Sequence, residues 1–245
     1  MLLIRGLCFY QMNYNTSRPL KKLAESPVSF FIPKHQNLKV SKEFLDKKIV
    51  AAIIPTYKPK MITYRLIKNM TKWYPDMMIV VVDDSTPSSC KNFKIIKKIK
   101  QLARLNTRVT YLRTPVNRLK AGALNYGFDY VSIALEQKPH IVITLDDDVI
   151  LTRKTIRAMI KSLYSEVTMG AVCTLAKVKN KNVNLLTRLQ AFEYHNFNIT
   201  KISDNGFLKG PLVMPGMLTA FRYAAIREAS GFTTGHLIED YDLTA

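Results

Sequence analysis

From position 47 onward, apolar residues fall into two alternating patterns. Short, largely apolar runs at 49–54, 77–82, 108–112, 140–145 and 171–175 have the length and β-branched content of buried strands. Between them, 61–73, 93–105, 121–135 and 152–165 space apolar residues at three and four, which predicts helices. Pro55 closes the first strand and Pro75 stops the first helix. Strands alternating with helices imply βαβ units with right-handed crossovers, hence an α/β fold with a mainly parallel sheet flanked by helices. Past Lys177 the pattern changes to a long helix over 183–202, a Gly/Pro-rich stretch at 210–216, a short strand at 218–221 and a helix near 223–230. Residues 1–46 carry Pro19, Pro27 and Pro33 without a sustained period, so they are expected to form an irregular basic arm with at most one short helix. Residues 47–245 then make one domain, which stops in the middle of a helical pattern and so reads as truncated.

Charge adds a constraint on partners. The 245 residues include 37 basic and 18 acidic side chains, a net of +19. Such an excess suits anionic lipid, nucleic acid or a phosphorylated substrate. A sequence-reading nucleic-acid module would interleave basic and aromatic residues on one surface, whereas these lysines are dispersed. The basic helix at 93–105 has Phe93, Ile96 and Ile99 on one face, and Lys94, Lys97 and Lys98 on a face that is either solvated or turned to anionic lipid. Cys8, Cys90 and Cys173 are too widely spaced for a zinc knuckle or a disulfide framework, which points to a reduced, cytoplasmic compartment. No apolar run approaches the ~18–20 residues that cross a bilayer.

Candidate chemistry lies at the strand ends. Asp146, Asp147 and Asp148 directly follow the run at 140–145, and Asp83 and Asp84 follow the run at 77–82. Carboxyl ends of parallel strands are where open α/β sheets hold ligands. Adjacent carboxylates repel one another, and a hard divalent cation with bound phosphate oxygens relieves that repulsion. Asp-Asp-Ser is also good turn chemistry, so Asp83 and Asp84 taken in isolation read first as a turn.

Five motifs in order resemble family 2 glycosyltransferases of the GT-A, Rossmann-like nucleotide-diphospho-sugar transferase fold. They are Ile54-Pro55-Thr56-Tyr57, Val82-Asp83-Asp84-Ser85, Lys120 to Asn125, Leu145 to Asp148, and Ile238-Glu239-Asp240. Gln190 to Tyr194, Gly216 to Arg222 and Gly231-Phe232 are similar to the processive chitin, cellulose, hyaluronan and poly-N-acetylglucosamine synthase branch. The resemblance covers 47–245 and implies an inverting, metal-dependent transfer from a UDP-sugar to a carbohydrate or lipid-linked hydroxyl, including a growing polysaccharide. By resemblance, Asp84 with Asp83 beside it contacts the nucleoside, and Pro55, Thr56 and Lys120 line the nucleotide pocket. Asp146 and Asp148 are the ends of the DxD motif. Asp148 would ligate Mg2+ or Mn2+, and Asp146 would hold the ribose or a metal-bound water. Asp240 would be the general base and Glu239 its orienting neighbour.

Two departures from that branch stand out. No Gln-x-x-Arg-Trp motif follows Glu239-Asp240, and membrane spans are missing from these residues. The chain is therefore either a truncated catalytic domain on the cytoplasmic face of a membrane, a split or silent subunit that needs a membrane-spanning partner, or a shorter transferase. A nucleotidyltransferase would want a glycine-rich loop where 55–59 has none.

Overall fold

The computed structural model describes residues 5–9, 43–44, 47–166, 169–208 and 213–235. The strands are β1 (Arg5–Phe9), β2 (Val50–Thr56), β3 (Met78–Asp83), β4 (Val109–Arg113), β5 (Ile141–Leu145), β6 (Met169–Thr174) and β7 (Leu218–Arg222). The helices are α1 (Met61–Trp73), α2 (Phe93–Leu105), α3 (Leu119–Ile133), α4 (Thr155–Leu163), α5 (Leu185–Leu208) and α6 (Tyr223–Glu228). One sheet runs in the order β1-β6-β7-β5-β2-β3-β4. Pairings β1–β6, β5–β2, β2–β3 and β3–β4 are parallel, and β7 is antiparallel to both its neighbours. The sheet is thus mainly parallel, as expected, with a single reversed strand.

Every residue of β2 is buried, which is why its sequence is a continuous apolar run and not an alternation. The pleat divides that run between two cores. Val50, Ala52 and Ile54 join Leu66, Ile67 and Met70 of α1, Ile99 of α2 and Leu163 of α4. Ala51 and Ile53 face the other way, onto Leu124, Phe128 and Val131 of α3 and Ile226 of α6. Helices therefore cover both faces of the sheet, as the βαβ rule requires.

Element ends depart from the expected ones by a few residues, because helix ends are set by capping and not by period. Leu119 takes a left-handed φ of 60° and α3 starts there, two residues early. Helix α5 runs on to Leu208, beyond the expected stop at 202. Within the arm, Arg5–Phe9 pair with β6 as an edge strand instead of remaining irregular. A five-residue edge strand offers too little alternation for the pattern to be seen. Among the described residues, no helix is long and apolar enough to cross a membrane.

Tight packing of α3 on the sheet generates a test. A Cβ at Gly127 would come within 2.6 Å of Ile53 Cγ2 and 3.0 Å of Val82 Cγ2, both on buried β-branched side chains. Gly127→Ala should lower stability by about 1–3 kcal/mol, the usual cost of overpacking, in urea denaturation.

Candidate active site

The chain moves from β2 outward to β3 and β4, then returns to place β5 on the other side of β2. Consecutive connections diverge at β2 and β5, and such a switch point opens a crevice at the carboxyl ends of the strands. An open cleft of about 350 Å3 lies there, lined by Pro55, Thr56 and Tyr57 after β2, Asp84 after β3, and Asp146, Asp147 and Asp148 after β5. Asn117, Leu119, Lys120 and Ala123, from the start of α3, form another part of its wall. A smaller cavity of about 180 Å3 sits by the amino ends of β2 and β3, around Val50, Trp73, Tyr74 and Met77.

The three consecutive aspartates have different surroundings. Asp146 pairs with Lys120 at 2.8 Å, both side chains about one-third exposed. Its amide is anchored to the Met217 carbonyl at 3.0 Å, just before β7. Asp147 Oδ2 accepts hydrogen bonds from the hydroxyls of Thr56 and Thr63, the latter at 3.1 Å. The Thr63 hydroxyl in turn accepts the Lys60 N–H at 3.1 Å, closing the first turn of α1. Burial pushes the Asp147 carboxyl above its usual range, and the two threonine hydroxyls pull it part of the way back. Asp148 is exposed on the turn, at the cleft wall.

Asp83 and Asp84 also part company. Asp83 has no exposed surface. Its Oδ2 accepts from Tyr111 Oη at 2.6 Å and Arg113 Nη1 at 2.8 Å, and its Oδ1 accepts the Thr86 N–H at 3.1 Å. Burial raises the Tyr111 phenol, and its bond to the Asp83 carboxylate raises it further. Asp83 is not among the residues lining the cleft, and its carboxylate is taken up by Tyr111, Arg113 and Thr86. Asp84 remains on the cleft, with Oδ1 held by the Thr114 hydroxyl at 2.9 Å and the Arg118 N–H at 2.8 Å. The two acidic strand ends flank β2 and are not adjacent.

Pro55, Thr56, Asp84, Lys120, Asp146 and Asp148 therefore converge as the sequence suggested, while Glu239 and Asp240 lie outside the described residues. Sequence reasoning gave Asp147 no role apart from its neighbours and passed over Thr63, and the residues Thr114 and Arg118 that hold Asp84. A hydroxyl residue three places after the Lys60 N-cap was the available signal for Thr63. Left-handed backbone at Lys58, Ser85 and Leu119 surrounds the same cleft, a form of strain that tends to gather at ligand sites.

Among the described residues, no three acidic, histidine or cysteine side chains converge into a ready-made ion cage. Mg2+ sites commonly use only one or two carboxylates, completed by phosphate oxygens and waters. Asp146 and Asp148 both line the cleft and are the residues that could supply such carboxylates.

The sequence model of Glycosyl transferase family 2 matches residues 51–228, more than half of the chain. The chain belongs to that family. Hyaluronan synthase of Streptococcus pyogenes is 25% identical over 179 residues, covering 72% of this chain and 41% of the synthase. The chain thus spans less than half the length of that relative. The mannosyltransferase PcManGT from Pyrobaculum calidifontis, solved with GDP-Man and Mn2+, superposes with a TM-score of 0.59 at 19% identity, over 79% of this chain and 50% of that one. Glucosyl-3-phosphoglycerate synthase from Mycobacterium tuberculosis, solved with Mn2+, UDP and glucosyl-3-phosphoglycerate, gives 0.51 at 14% identity, over 84% and 68%. These likenesses fix the fold as GT-A.

The division between Asp83 and Asp84 can be measured. Asp83→Ala strands the Tyr111 hydroxyl, the Thr86 N–H and the Arg113 guanidinium, which is itself partly solvated. Its unfolding free energy should fall by about 1–3 kcal/mol in chemical denaturation.

Proposed function

We propose that this family 2 glycosyltransferase moves a sugar, GlcNAc or Glc, from a UDP-sugar to a hydroxyl of a carbohydrate or lipid-linked acceptor, with inversion. A growing polysaccharide is the acceptor that the hyaluronan synthase likeness favours. The observation that carries the reading is the switch-point cleft, with Asp84 on one side, Asp146 and Asp148 on the other, and Lys120 between. Both superposed glycosyltransferases were solved with Mn2+ and a nucleotide, GDP-Man in one and UDP in the other, which supports a metal and a nucleotide as the ligands of this cleft.

In this scheme Asp84 accepts a hydrogen bond from uracil N3–H or a ribose hydroxyl, while Pro55 and Thr56 form the floor beneath the nucleotide. Asp148, with Asp146, would hold Mg2+ or Mn2+, which would supply positive charge to offset that of the diphosphate leaving group. Lys120 is already within ion-pair distance of Asp146, and its ammonium adds cationic charge where the diphosphate would lie. Asp240 takes the proton from the acceptor hydroxyl as it attacks the anomeric carbon from the face opposite UDP, and Glu239 orients that site. The +19 charge of the chain supports association with an anionic membrane surface.

Two measurements test the assignment. UDP binding by calorimetry should require a divalent cation, and Asp148→Ala should abolish that requirement together with tight binding; equal affinity with and without EDTA would refute it. Asp240→Asn should lower transfer by roughly 10²–10⁴-fold, the range for loss of a general base, and leave UDP affinity near wild type. Wild-type turnover in the mutant would remove Asp240 from the mechanism.

A further inference from the structure

The first half of helix α5 leaves several large apolar side chains in solvent. Its inward positions are Thr187, Ala191, Tyr194 and Asn198, all at least half-buried or nearly so, and Asn198 Nδ2 donates to the Ala176 carbonyl at 2.7 Å. One turn apart on the outward side stand Leu185, Leu189 and Phe192, joined by Leu186 and, just before the helix, Val183. These five are between 56% and 74% exposed. Other large exposed apolar side chains, such as Leu105 and Ile133, stand on different helices. A contiguous apolar face of this kind marks an interaction surface and not ordinary scatter.

The charge around that face selects its occupant. Lys177, Lys179, Lys181 and Arg188 are exposed beside it, and Glu193 is the one carboxylate between positions 177 and 202. A protein partner with an apolar surface would not need that one-sided charge. A bilayer with anionic headgroups satisfies both features, since apolar side chains enter the acyl boundary while lysines meet the phosphates. The segment 175–184 leaves the carboxyl end of β6, and β6 runs in the same direction as β2 and β5. The face therefore starts from the sheet edge that carries the cleft.

We infer that the amino-terminal half of α5, with the preceding Lys177–Lys181 segment, docks this domain on an anionic lipid surface. This deepens the membrane part of the proposed function and does not depend on the transfer chemistry. The cleft then opens close to the bilayer, within reach of a membrane-held acceptor.

The full chain is tested by cosedimentation with phosphatidylcholine vesicles, with and without phosphatidylserine. Binding is expected on the serine-containing vesicles alone, and should weaken steeply as salt shortens the Debye length from ~30 Å at 0.01 M to ~8 Å at 0.15 M. Leu185→Ser with Leu186→Ser and Leu189→Ser, all at solvent-facing positions, should lower that affinity at least tenfold. Lys177→Gln with Lys179→Gln and Lys181→Gln should lower it about fivefold per charge and flatten its salt dependence. A control, Leu105→Ser with Ile133→Ser, should bind as wild type. Equal binding by the leucine variant, equal binding to both vesicle types, or no wild-type binding overturns the inference. So does a wild-type dimer that the leucine variant alone converts to monomer, because a second copy would then own the face. UDP release with a soluble acceptor, measured on the same preparations, should be unchanged in the leucine variant, so a failed vesicle assay and a failed transfer assay remain distinguishable.

Discussion

Three carboxylates in succession repel one another, and the site is organised around how that repulsion is relieved. Asp146 is offset by the Lys120 ammonium, and Asp147 is turned away onto two threonine hydroxyls. Asp148 is left on the solvent side of the turn. The Asp147 interaction also joins three elements, since Thr56 ends β2, Thr63 lies in the first turn of α1, and Asp147 follows β5. The crevice between β2 and β5 is thereby closed at its base while its upper wall stays open. A hydroxyl pair satisfies the half-buried carboxylate without adding a charge to the cleft.

The same economy separates the earlier acidic pair. Asp83 is spent on Tyr111 and Arg113 of β4, so it ties the outer strand to β3. Asp84 is held from the other direction by Thr114 and Arg118. One residue along a strand reverses the direction of the side chain, and that reversal divides a structural carboxylate from one on the cleft wall.

This division explains what the sequence could and could not reveal. Runs such as 49–54 and 77–82 were legible because doubly covered parallel strands must be apolar at every position. The acidic strand ends were legible because an open parallel sheet puts ligands there. The roles of Asp83 and Asp147 were not, since they depend on Tyr111, Arg113, Thr56 and Thr63 arriving from distant positions. The direction of β7 was equally hidden, because a short apolar run reads the same both ways. The exposed leucines of α5 satisfied a helical period without revealing that they stand in solvent.

The reversed strand has an effect on how such a site can change. Because β7 runs against β5 and β6, it is the segment before Leu218, and not the one after Arg222, that reaches the aspartate turn, through the Met217 carbonyl on Asp146. The aspartate turn is therefore tied to a loop that enters a strand, while the cleft wall itself is built from loops that leave β2, β3 and β5 and from the start of α3. Lengthening or shortening the entering loop changes the anchor of that turn and leaves the β2, β3 and β5 ends in register. Anchor and wall can then vary along separate stretches of the chain.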